Sequence, residues 1–278
     1  MRHIPSPEDE HSEAFDACIS NIRDAATVQI LTNAKQHIIN AGGHFLQTIA
    51  AGQLSTILPS TTVDGVEMKQ QLVKLYTDKL SKIGQPGRIY YDKWRALAAN
   101  NRCPLCSVKP VSTLDHYLSK SDFPIYALFP FNLIPACRDC NTEKLAHIAT
   151  QYAEETLHPY FDNIDQVQWL KARVNHTRPA SFAFYVDPVQ GWNPQMTDRV
   201  SKHMEVFKLY DLFSDHAAEE LSNITLRLQK LFLAGGPAAV QEHLFDCMES
   251  CEQVSLNSWR TAAYKAMHES IWFHSNGY

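Results

Sequence analysis

Apolar residues recur at helical spacing across residues 10–58, where Phe15, Cys18, Ile19 and Ile22 share a face, and Gly42-Gly43 predicts a break between two helices. The pattern returns over 64–83 with Leu72, Leu75, Tyr76, Lys79 and Leu80, and stops at Gly84, with Pro86-Gly87 just beyond. A short helix over 88–99 follows. Residues 101–141 lose helical periodicity and gain Pro104, Pro110, Pro124, Pro130 and Pro135, which predicts loops and short strands. Two strands are expected at 167–174 and 181–186 around a turn at 175–179. From Asp198 the chain turns helical again, breaks at Gly235-Gly236-Pro237, and ends in two helices over 238–252 and 256–273. There is no internal repeat. The fold class is therefore mainly α with a small ββα insertion, α+β overall, in three segments: a helical region 1–100, the insertion 101–152, and a region of short strands then helices 153–278.

With 278 residues, 45% of them hydrophobic and 20% charged, the chain can bury a core, which excludes a disordered or collagen-like protein. No apolar run approaches the ~18 residues of a membrane span. The acidic start Pro7-Glu8-Asp9-Glu10 is the opposite of a signal peptide's basic front, so a cytoplasmic location without membrane contact is expected. The net charge of −5 argues at first against a nucleic-acid partner. It is unevenly spread. Residues 1–70 hold four basic and eight acidic groups, 71–148 hold eleven and six, and 149–278 hold ten and sixteen. A local excess matters more than the sum, because distant charges are screened beyond about 8 Å at physiological salt.

The seven cysteines are equally uneven. Cys103-Pro-Leu-Cys106 and Cys137-Arg-Asp-Cys140 are two C-x2-C doublets, the spacing with which two loops close on one zinc ion. Four thiolates complete a tetrahedron and leave no position for substrate, so the Zn2+ would be structural. Cys247, Cys251 and Cys18 lack a second doublet and read as small buried apolar residues.

Between the doublets lies Leu114-Asp115-His116-Tyr117, then Asn132-Leu133-Ile134-Pro135, and after the last cysteine Asn141-Thr142-Glu143-Lys144. Adjacent Asp and His on a regular strand face opposite sides, so for both to serve one site the strand must bend or end there. At a helix start, Asn141 shares a face with Lys144, Leu145 and Ile148, whereas His147 falls on another side.

This order and spacing over residues 101–148 resembles the HNH endonuclease family, whose ββα-metal fold often carries two zinc doublets. His158-Pro159-Tyr160-Phe161 and Asn257-Ser258-Trp259-Arg260 also look like segments of the HNH subunits of bacterial Septu-type and retron-associated antiphage systems. The resemblance implies His116 as general base, Asp115 and Asn141 as ligands of a catalytic Mg2+ or Mn2+, and Asn132 as the residue fixing the loop and the orientation of His116. Lys144 is a candidate phosphate contact. A neutral imidazole can take a proton from water near pH 7, and hard cations prefer carboxylate and amide oxygens. The helix position holds Asn141 where the family name implies His, and Ser119 stands where many relatives have Pro.

Phosphate-loop, nucleophile-elbow, zincin and dinucleotide motifs are missing, so no nucleotide cofactor is expected and coupling to ATP would need an ATPase partner subunit. The expected function is hydrolysis of phosphodiester bonds in nucleic acid, DNA first, as an effector in antiphage defence. The alternatives are an RNA (tRNA) nuclease and a non-catalytic zinc-stabilised module that binds nucleic acid or protein.

Overall fold

The structure, a computed structural model, describes residues 1–144 and 147–278. The chain is mainly α-helical, with three small antiparallel two-stranded sheets among the described residues, and it divides into two compact units, Met1–Asp162 and Asn163–Tyr278. The first hundred residues and the 101–152 segment, expected as separate regions, belong to one unit.

In the first unit, α1 (His11–Ile19) and α2 (Ala25–Ala50) are followed by a hairpin of β1 (Thr62–Val63) and β2 (Val66–Glu67). Then come α3 (Lys69–Leu75), a π-helical turn at Tyr76–Leu80 and α4 (Arg88–Arg95). The predicted break at Gly42-Gly43 is absent. Helix α2 runs through both glycines, and the chain reverses earlier, before the Asp24 cap whose side chain accepts from Thr27 N. Gly42 is there for close approach: a Cβ on it would stand 2.8 Å from the Phe129 ring. Glycine here trades helix propensity for packing.

β3 (Thr113–His116) pairs antiparallel with β4 (Leu133–Ala136), setting Asp115 opposite Ile134 and His116 opposite Leu133, and α5 (Arg138–Lys144) follows. This ββα unit shares core with the helices. Leu114, Ala127, Leu128 and Leu133 are buried in one cluster with Phe15, Leu31, Ile38, Leu72, Tyr76 and Trp94 from the helices. That shared core makes 1–162 a single body. Leu145 lies outside the described residues. Ile148, expected on the Asn141 face of the helix, is exposed and non-helical.

The second unit pairs β5 (Leu170–Asn175) with β6 (Ser181–Val186) and adds α6 (Pro194–Val206), α7 (Leu209–Glu252), α8 (Trp259–Glu269) and α9 (Ile271–His274). The expected break within α7 falls at Gly236, whose φ of 66° only glycine adopts readily. Asn257 ties β5 down by accepting from Trp169 N and Leu170 N and donating to Val167 O, while Ser258 caps α8. No helix among the described residues is long and apolar enough to cross a membrane.

Candidate active site and metal cluster

The ligand sulfurs of Cys103, Cys106, Cys137 and Cys140 are buried and lie within 4.8 Å of one another. Zinc–sulfur bonds of about 2.3 Å in a tetrahedron separate the sulfurs by about 3.8 Å. Cys106 Sγ and Cys137 Sγ stand 4.0 Å apart. Backbone N–H groups of Lys109 and Cys140 point at Cys106 Sγ (3.5 Å) and Cys137 Sγ (3.4 Å). Hydrogen bonds from the neighbouring thiols, Cys103 first, pull Cys106 and Cys137 below the usual thiol range, and Cys103 and Cys140 are pushed above it in return. A metal ion would bind all four as thiolates. The four buried cysteines can therefore hold a structural metal such as zinc. The other cysteines lie elsewhere: Cys18 is buried, and Cys247 and Cys251 are only half-buried.

The cluster ties down both ends of the ribbon. Cys103 N bonds Lys109 O, and the Arg102–Pro110 bridge leads into Ser112, whose N–H bonds Ala136 O. Strand β3 stays paired with β4 through His116, so the expected bend between Asp115 and His116 is not seen; what joins the two residues is the Lys144 ammonium, on the Asp115 carboxylate and the His116 backbone carbonyl. Both residues are buried, at 7% and 6% exposure. His116 Nε2 lies 3.0 Å from the Ala127 carbonyl. A carbonyl only accepts, so Nε2 carries the proton and the lone pair sits on Nδ1. Burial, then the Lys120 charge, holds the imidazole down at about 3, hence neutral at physiological pH.

Burial also raises the Asp115 carboxyl above its usual range, against the pull of Lys144. Lys144 Nζ stands 3.1 Å from Asp115 Oδ2 and also donates to the His116 carbonyl. Expected at a phosphate, Lys144 is instead buried in an ion pair. Asn132 is fully buried and accepts from Leu118 N at 2.6 Å while donating to Leu118 O (3.0 Å) and Tyr126 O (3.1 Å). It thus clamps both ends of the 118–126 loop. The bond that orients His116 comes from Ala127 next to that loop, so the effect of Asn132 on the imidazole is indirect. Asn141 is half-buried on α5, one turn before Lys144, and its side chain makes no hydrogen bond among the described residues.

Three contributors were missed in the sequence. Tyr76, on the π-helical turn, sets its ring edge-on to His116 at 4.3 Å and donates to Leu114 O at 3.3 Å. Such turns are frequent at functional sites. Lys120 places Nζ 5.3 Å from the centroid of the same ring, and burial lowers its pKa. Ala127 supplies only a carbonyl. Of the three, Lys120 alone left a trace, a basic residue four positions beyond His116. The His158 segment proves to be a brace: His158 Nε2 bonds Phe131 O (3.1 Å) and Tyr160 OH donates to Leu133 O (2.8 Å), holding β4 from behind.

Asp115 and Asn141 offer a carboxylate and an amide oxygen, donors that suit Mg2+ or Mn2+. In the structure Asp115 Oδ2 is taken by the Lys144 ammonium, a competitor for the same charge, and no hydrogen bond joins Asp115 to Asn141 among the described residues. The cavity bordering Lys144, lined by Leu54, Tyr117 and Phe123 among others, is only about 30 Å3. Pockets that enclose small-molecule ligands run to about 300 Å3 or more.

A curated relative, "Protein ea31" of Escherichia phage lambda, is 28% identical over 241 residues, covering 81% of this chain and 79% of that protein. No family model matches the chain. No solved structure matches it either.

Proposed function

We propose that this chain is a metal-dependent endonuclease of HNH type that hydrolyses phosphodiester bonds in DNA. One observation carries the reading: a buried, neutral His116 at the end of β3, with Nε2 fixed by the Ala127 carbonyl and Nδ1 left as acceptor, next in sequence to the buried Asp115. The setting supports it, a ββα unit with four clustered cysteines at its base.

In this mechanism His116 Nδ1 takes a proton from water as the water oxygen bonds to phosphorus. The bond from phosphorus to the sugar oxygen breaks, and the departing alkoxide takes a proton from solvent. Tyr76 keeps the imidazole edge-on, and Ala127 stabilises the imidazolium that forms, since its carbonyl accepts from Nε2–H in both protonation states. Asp115 and Asn141 would hold Mg2+ or Mn2+, which would supply Lewis-acid stabilisation of the charge on the phosphate. The structural zinc takes no part in chemistry; it fixes the ribbon that carries the base.

Incubating the purified chain with plasmid, single-stranded DNA and total tRNA, each with Mg2+ or Mn2+, tests the reading. Nicking of DNA that His116→Ala abolishes without loss of fold is the expected result. Cleavage of tRNA alone would reassign the substrate, and binding without turnover in either metal would make the chain a zinc-stabilised binding module. A folded His116→Ala variant as fast as the parent would refute the mechanism. The role in antiphage defence and the ATPase partner belong to the same proposal; co-purification followed by mass measurement tests the partner directly.

A further inference from the structure

We propose that Lys120 is a catalytic residue that receives the scissile phosphodiester, donating to a non-bridging oxygen as negative charge builds there; the inference rests on the nuclease reading above. Two lysines border the Asp115–His116 pair, and the structure divides their work. Lys144 is spent: its ammonium is buried, with one donor on Asp115 Oδ2 and another on the His116 carbonyl. Lys120 is half-buried, and its Nζ makes no hydrogen bond or ion pair among the described residues. The Tyr76 ring lies near the ammonium, but withdrawing it partly from water without a hydrogen-bonded anion is costly, and an incoming anion removes that cost.

Its position matches the task. The Tyr76 ring lies 4.3 Å from the His116 ring and 5.3 Å from Lys120 Nζ, so base and cation flank one aromatic side chain. The Lys120 charge acts on both the Asp115 carboxylate and the His116 imidazole. The backbone that carries it is fixed on both sides. Asn132 holds Leu118 and Tyr126, and Ser119 Oγ accepts from Ser121 N at 3.2 Å, closing the turn around Lys120. A donor held in place before the reaction stabilises a developing charge without reorganising at that moment. No bond forms or breaks at Lys120; the proton of the attacking water goes to His116 Nδ1.

The test uses the full zinc-loaded chain with Lys120→Met, Lys120→Gln and Lys120→Arg, on a DNA hairpin carrying a fluorophore and a quencher. Both neutral variants are expected to lose about 100-fold in kcat, the size of a deleted transition-state donor, with KM changing far less. Lys120→Arg is expected to restore part of the rate, and thermal melting to stay at the parental value. A neutral variant within about threefold of the parental kcat overturns the proposal. A rate loss that tracks a fall in melting temperature in both neutral variants also overturns it, because the role would then be structural. A second readout separates this proposal from the nuclease reading: saturable broadening of the phosphorus resonance of inorganic phosphate by the zinc-loaded protein without Mg2+ or Mn2+. If the parent cleaves no nucleic acid, the nuclease reading fails, and phosphate binding lost in Lys120→Met still upholds Lys120 as the anion site. Phosphate binding that is absent, or equal in parent and variant, refutes it.

Discussion

Replacing Lys144 by Met asks whether its ammonium is bound to Asp115 or free for substrate. At 3.1 Å the two charges attract by about 5 kcal/mol with an effective dielectric near 20. Their side chains are only 5% and 11% exposed, and removing each ion from water costs several kcal/mol. The balance is visible in Asp115 itself, where burial outweighs the pull of Lys144 and raises the carboxyl pKa. The pair as a whole therefore adds little stability, while breaking it leaves a buried carboxylate uncompensated. Lys144→Met should cost about 3–5 kcal/mol, and Asp115→Asn/Lys144→Met should return to within about 1 kcal/mol of the parent. Hydrogen exchange read by mass spectrometry on peptides spanning residues 113–136 measures this locally, as a fall in amide protection in the single variant and recovery in the double. A Lys144→Met protein with protection within about fivefold of the parent, equivalent to some 1 kcal/mol, would refute the reasoning. So would single-variant effects that simply add.

Three further outcomes are expected. The purified chain should carry one zinc per molecule by native mass spectrometry; Cys137→Ser or a strong chelator should remove it and open residues 101–144 to proteolysis, since structural zinc in small domains is worth about 10 kcal/mol or more. His11 is buried with neither ring nitrogen bonded, and burial lowers its pKa to about 4 from 6.5. The unfolded chain therefore binds the proton first: stability is unaffected above about pH 6.5, falls as pH drops towards 4, and is lower by about 2 kcal/mol at pH 5. Urea titrations should show that decline in the parent and a decline smaller by that amount in His11→Leu. Gly42→Ala places a methyl 2.8 Å from Phe129 and should destabilise by about 1–3 kcal/mol in the same assay, despite alanine's better helix propensity.

The cysteine doublets were legible because zinc ligation imposes a local spacing, and C-x2-C twice is that spacing written out. The 181–186 strand and the break at Gly236 were legible for a similar reason, since alternation and a Gly-Gly-Pro run act within a few residues. Gly42-Gly43 misled because a glycine pair signals either a flexible break or a close contact. The partner that decides, Phe129, lies 87 residues away. Nor does the sequence say that Tyr76 faces His116 forty residues later, or that a π-helical turn sets it there. The Ala127 carbonyl that fixes the tautomer of His116 has no side-chain signature at all. What was hidden is the set of contacts made between elements, and that set gives the Asp-His pair its chemistry.

The charge pattern shows how far such local reading reaches. The segment 71–148 carries eleven basic and six acidic groups within a chain of net −5, and that excess could have been scattered over its surface. Part of it converges instead: Lys120 and Lys144 both act on Asp115 and on His116. Two ammonium groups against one carboxylate leave this corner at net +1 with a neutral imidazole. Asp115 is neutralised by Lys144, so the second positive charge is the one not balanced from within. An electropositive point at the end of β3 favours an anion over a cation as first arrival, even in a protein whose total charge is negative. The sum of the charges therefore bears on weak long-range repulsion from polyanions, and the pairing of three side chains decides what the site attracts at close range.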